Sequence, residues 1–135
     1  MKIAERAAKG LPERVLVVED DPDTRRMLVA VIADEGFEPI PALDGEHALR
    51  TAIAIEPAAI VLDLMLPGAD GQDFVNAYRS QSATESPIVV VSARHDAQTV
   101  AQQIGADAVV PKPLDISEFA GRLRATIGGR REDSA

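Results

Sequence analysis

Four short apolar runs in this chain end in side chains that could do chemistry together. Val15-Leu16-Val17-Val18 runs into Glu19-Asp20-Asp21, and Ala58 to Leu62 runs into Asp63. Ile88-Val89-Val90-Val91 is followed by Ser92, and Asp107 to Val110 leads to Lys112-Pro113. Carboxylates crowded together repel one another, which costs stability unless a cation neutralises them. An all-oxygen cluster with neither His nor Cys suits Mg2+ rather than zinc. A lysine adds fixed positive charge and a serine adds a hydroxyl. Together they would complete a site for a phosphoryl group, with a carboxylate as nucleophile. Each residue taken alone has a plainer role. A carboxylate after a strand is commonly a helix cap, as Asp21 before Pro22 is expected to be. A serine there is usually turn chemistry, and a lysine is usually solvated. Four fitting types at four run ends favour one common site. His47 and His95 have no partner pattern and read as surface residues, while Tyr78 and the phenylalanines read as packing.

The elements that must position these groups follow from two alternating periods. The continuous β-branched runs are the pattern of strands buried on both faces. Phe37 to Pro41 and Asp107 to Val110 are weaker strands, and Pro39, which cannot donate to a ladder, marks an edge. Between the strands the period becomes helical. Met27, Leu28, Val31 and Ile32 form one stripe, and Ala48, Leu49, Ala52 and Ile53 another. Phe74, Val75 and Tyr78 form a third, Ala97, Val100, Ala101 and Ile104 a fourth, and Ile116, Phe119, Ala120, Leu123 and Ile127 a fifth. Asp21-Pro22, Asp44, Asp70 and Asp115 are placed as N-caps, with Glu118 completing a capping-box spacing. Gly36, Gly105 and Gly128 are placed as C-terminal caps. Alternating strand and helix implies an α/β fold, a parallel sheet with helices on both faces. In such a sheet, functional groups collect at the carboxyl ends of the strands.

Composition narrows the function classes. The chain has 135 residues, a net charge of -8 and no cysteine. That is enough for one core, and it excludes disulfide frameworks, cysteine zinc sites and thiol catalysis. An acidic balance argues against direct nucleic-acid binding, since phosphate contacts need a basic face. No apolar run is long enough for membrane insertion, and Met1 to Arg6 read as having no secretory h-region, so a cytoplasmic protein is expected. Residues 1–12 read as an N-terminal extension, 13–127 as the domain, and 128–135 as a flexible tail or linker stub.

The segments Val15 to Asp21, Val61-Leu62-Asp63-Leu64-Met65-Leu66-Pro67-Gly68, Val91-Ser92-Ala93 and Pro111-Lys112-Pro113 resemble, in order and spacing, the receiver domain of two-component response regulators. The resemblance implies the chemotaxis-protein-Y-like fold, a single doubly wound, flavodoxin-like sheet of strand order 2-1-3-4-5. It implies that Asp63 is the phosphoacceptor, Asp20 a direct Mg2+ ligand, Glu19 an acid acting through water, and the Met65 carbonyl a backbone ligand. Ser92 takes the place of the family's switch hydroxyl and Lys112 that of its phosphate-binding lysine. The implied partners are a sensor histidine kinase or histidine phosphotransfer protein, and a downstream effector or covalently linked output domain. The domain would be a signalling switch that assists its own Mg2+-dependent phosphorylation and dephosphorylation, not an enzyme releasing a product. Val109 stands three residues before Lys112, where the family usually has an aromatic. That departure motivates the alternative of a pseudo-receiver, an interaction module that turns over no phosphate. Two further expectations concern Lys112-Pro113, expected to be cis, and Met65 with Arg94. The latter pair offers no group to activate water, so a long-lived phosphoryl form is expected.

Overall fold

The computed structural model describes residues 3–66 and 69–134. Pro67 and Gly68 of the second matching segment, and Met1, Lys2 and Ala135 of the termini, lie outside the described residues. In chain order the elements are α1 (Ile3–Ala8), β1 (Arg14–Val18), α2 (Pro22–Asp34), β2 (Glu38–Ala42), α3 (Gly45–Ile55) and β3 (Ala59–Leu62). A short pair follows, β4 (Met65–Leu66) and β5 (Ala69–Asp70), then α4 (Gly71–Gln81) and β6 (Ile88–Ser92). The chain closes with α5 (Ala97–Ile104), β7 (Ala108–Pro111) and α6 (Ile116–Ser134).

Five strands form one parallel sheet in the order β2-β1-β3-β6-β7. Counting only these strands, that is the expected 2-1-3-4-5 order. Along each central strand the side chains alternate between two apolar layers. Leu16, Val18, Ile60, Leu62 and Val90 pack with Ala48, Phe74, Val75 and Ala101 beneath α3, α4 and α5. Val15, Val17, Val61, Val89 and Val91 pack with Leu28, Ile32, Phe119 and Leu123 from α2 and α6. Both faces are covered, which is why these strands read as unbroken apolar runs. Pro39 and Pro41 lie on β2, at the sheet edge, as the missing donors require.

The caps hold the helices where the site needs them. Asp21 accepts from the Thr24 N–H, Asp44 from His47, Asp70 from Asp73 and Asp115 from Glu118. Gly36 and Gly105 adopt positive φ after α2 and α5. Gly128 does not, and this corrects its reading as a cap. Without a left-handed residue there, α6 runs on to Ser134. Conversely, Glu56 takes the left-handed turn after α3 with φ 49°, a cap that no glycine announced.

Three residues of the expected stripes, Met27, Ile53 and Ile116, lie at the rims of their helices and remain exposed. The segment before β1 contains a helix, α1, whose Arg6 is buried. Arg6 donates to the Pro12 carbonyl and pairs with Glu38 at 2.6 Å.

Candidate functional site

The turn after β1 carries the first acids. Val18 is the last β1 residue in register with both neighbours, pairing with Ala42 and Leu62. Beyond it Glu19 is buried and Asp20 is exposed. Asp21 is engaged as the α2 cap, accepting from both the N–H and the hydroxyl of Thr24. That occupation leaves Glu19 and Asp20 for the site. Asp63 follows β3 directly, and its N–H extends the ladder by donating to the Val18 carbonyl at 3.0 Å. The result is three carboxylates whose oxygens lie within 4.8 Å of one another, from Glu19, Asp20 and Asp63.

Lys112 arrives from the end of β7. Its Nζ lies 2.6 Å from Glu19 Oε1 and 3.2 Å from Asp63 Oδ2. The second contact is a hydrogen bond, and the first is a shorter, charge-assisted contact. The Lys112-Pro113 peptide is cis, as expected. Lys112 N–H donates to the Ser92 carbonyl at 3.0 Å, tying the ends of β6 and β7 together. Ser92 is buried, and its Oγ accepts from the Arg94 N–H. The Met65 N–H donates to Asp63 Oδ1 at 3.0 Å, while the Met65 side chain is 60% exposed. The residues singled out in the sequence thus gather at one edge of the sheet.

One ammonium cannot balance three carboxylates. Burial pushes the Glu19 carboxyl up from 4.5 to about 7; Lys112 opposes that rise and Asp63 adds to it. Burial works against the Lys112 charge as well, but the Glu19 and Asp63 carboxylates outweigh it and hold its pKa above the ordinary value. The pocket therefore holds more carboxylate oxygens than its one ammonium can neutralise. Hard oxygen donors in that state fit a divalent cation of the Mg2+ type.

The sequence reading missed three features of this edge. The β4–β5 pair sets Met65 opposite Asp70, a pairing too short to leave a periodic signal. Arg25 Nη1 donates to the carbonyls of Glu19 and Asp20, each at 3.2 Å. Arg94 forms a two-pronged pair with Asp96, both contacts at 2.8 Å, which leaves Asp96 making no side-chain cap to α5. The spacing of two between Arg94 and Asp96 was the available clue.

A family model described as the response regulator receiver domain matches residues 15–124. The chain belongs to that family. The receiver domain is 37% identical over 125 residues to the DNA-binding response regulator MtrA of Mycolicibacterium smegmatis, covering 91% of this chain and 54% of that protein. It is 39% identical over 119 residues to the transcriptional regulatory protein PrrA of Mycobacterium leprae, covering 87% and 51%. The chain spans about half the length of the curated relatives it matches. Among solved structures it resembles a putative response regulator of Chloroflexus aurantiacus, with TM-score 0.80 and 29% identity over 87% of this chain and 98% of that one. It also resembles the chemotaxis protein CheY4 of Vibrio cholerae, with TM-score 0.77 and 27% identity over 85% and 98%. A receiver domain is a phosphorylation-dependent switch of two-component signalling, not a turnover enzyme. Nothing in the site favours the pseudo-receiver alternative, since the acids and the lysine stand together. Among the described residues, no helix is long and apolar enough to cross a membrane.

Proposed function

We propose that Asp63 accepts a phosphoryl group from the phosphohistidine of a sensor kinase or phosphotransfer protein. An Asp63 carboxylate oxygen attacks phosphorus, the P–N bond breaks, and the histidine nitrogen keeps the bonding electrons. The observation that carries this reading is Lys112 Nζ set between Glu19 and Asp63, a fixed cation beside the nucleophile. There it neutralises charge on the transferring oxygens. The Ser92 hydroxyl, on the adjoining strand end, donates to a phosphoryl oxygen after transfer. Asp20, Asp63 and the Met65 carbonyl would hold Mg2+ directly and Glu19 through water. When bound, Mg2+ supplies positive charge against the developing phosphoryl negative charge.

The covalent phosphate adds acceptor oxygens beside Ser92 and Arg94. They shift a two-state balance of the segment between β6 and α5, because Ser92 Oγ would exchange its bond from Arg94 for one to phosphate. The output is a changed surface, read by an effector or a covalently linked output domain in the cytoplasm. With its acidic balance, the domain makes no direct nucleic-acid contact.

Incubation with a small acyl phosphodonor, with and without Mg2+, tests the proposal. Wild type should acquire an acid-labile label that depends on Mg2+, and Asp63→Asn should acquire none. Full labelling of that variant would move the acceptor elsewhere. No labelling of wild type by either a small donor or a phosphohistidine donor would favour the pseudo-receiver.

A further inference from the structure

Consecutive residues of a strand point to opposite faces, so Glu19 and Asp20 could not serve one site if β1 simply continued. They converge because the backbone leaves strand geometry after Val18, the last residue in register with β2 and β3. That departure takes the carbonyls of Glu19 and Asp20 out of the ladder, and such groups need donors from elsewhere. Arg25, in the first turns of α2, reaches back and supplies them. Its Nη1 donates to Glu19 O and to Asp20 O, each at 3.2 Å. The turn is also tied by the Asp21 N–H to Glu19 Oε2 at 3.3 Å and by the Glu19 N–H to the Ala42 carbonyl at 3.4 Å.

We propose that Arg25 is a positioning residue for the acid pair, its guanidinium clamping two successive carbonyls so that both carboxylates face Asp63. The inference rests on the reading of this pocket as a Mg2+ site. Arg25 touches neither the phosphoryl group nor the cation; it acts through the backbone that carries their ligands. Both bonds leave one nitrogen, Nη1, held in the plane of a rigid guanidinium rather than on a flexible ammonium stem. The neighbouring Arg26 supplies a natural control. It carries the same charge one residue on, but pairs with Asp23 in solvent.

Mg2+ titration by calorimetry on wild type, Arg25→Gln and Arg26→Gln tests the proposal, with unfolding midpoints measured in parallel. Outer-shell supports of a metal site typically contribute about 10–100-fold in affinity. Arg25→Gln should therefore weaken Mg2+ binding about tenfold or more, while Arg26→Gln, with an identical charge change, should match wild type. At saturating Mg2+, labelling of Arg25→Gln by a small phosphodonor should return close to the wild-type rate, because only the ligand geometry was impaired. Arg25→Lys keeps the charge and one donor point, and should recover part of the affinity; it also serves if the glutamine variant fails to fold. Equal losses in the Arg25 and Arg26 variants would reduce the effect to net charge and overturn the proposal. Wild-type affinity in Arg25→Gln would overturn it too, leaving the Mg2+ reading intact. A wild type that binds no Mg2+ would overturn that reading and the positioning role with it.

Discussion

Protonation of Glu19 should set how tightly the receiver holds Mg2+ near neutral pH. The side chain is 1% exposed, and burial lifts its pKa from 4.5 to about 7. The folded value exceeds the unfolded one, so the neutral acid stabilises the metal-free domain fully below pH 4.5, and that contribution is lost as pH rises through about 7. The gap between 4.5 and about 7 corresponds to about 3 kcal/mol at most. A cation held beside Glu19 through water favours its carboxylate form, so binding should release the same proton. With a pKa of about 7, Glu19 is about 10% ionised at pH 6 and about 90% at pH 8. Apparent Mg2+ affinity should then be about tenfold weaker at the lower pH, roughly 1.4 kcal/mol. Calorimetric titrations at the two pH values, in buffers of different ionisation heat, read both the affinity and the released proton. Glu19→Gln cannot lose that proton and should flatten the profile. A wild-type affinity that is level across this range, or an unchanged slope in Glu19→Gln, would refute the assignment of the titration to Glu19.

Lys112→Ala should slow phosphodonor labelling of Asp63 yet tighten Mg2+, since it removes the cation that shares the pocket; unchanged labelling kinetics would remove Lys112 from the transfer step. In the absence of metal the same variant leaves Glu19 and Asp63 buried without a counter-charge, and denaturant unfolding should show a loss of about 3 kcal/mol. Dephosphorylation should be faster in the double variant Met65→Asn, Arg94→Glu, because these side chains could orient or activate water where methionine and an Asp96-bound guanidinium cannot. Equal decay rates in the two proteins would show that these positions do not gate water. Tyr78→Phe should cost about 1–3 kcal/mol in denaturant unfolding, because the buried Ser86 N–H donates to the Tyr78 hydroxyl at 2.8 Å and would be stranded. It should leave Mg2+ affinity unchanged, since that network lies at the opposite end of β6.

Much of this receiver domain follows from local rules. The runs at Val15, Ala58 and Ile88 are apolar on both faces because helices cover both faces, so they could be read as central parallel strands without knowing the sheet order. Pro39 marked an edge for want of an N–H, and Asp21, Asp44, Asp70 and Asp115 marked helix starts because a short carboxylate satisfies orphan N–H groups wherever it precedes a helix. The site residues were legible for a related reason: in a parallel sheet every strand delivers its last residue to the same edge, so Glu19, Asp63, Ser92 and Lys112 could be assigned to one place by order alone. What depends on contacts distant in sequence was not legible. The buried state of Glu19 comes from β1 lying between β2 and β3, and its raised pKa follows from that burial and from Asp63, against the opposing pull of Lys112, all of which only the folded sheet brings near. Likewise Gly128 has the residue type of a cap but not its conformation, and α6 continues past it. Arg25 looks like an ordinary surface arginine, since nothing in its spacing tells which carbonyls will need a donor. Residue type decides what a side chain can offer; only the tertiary structure decides which unmet charge or unpaired backbone group it meets.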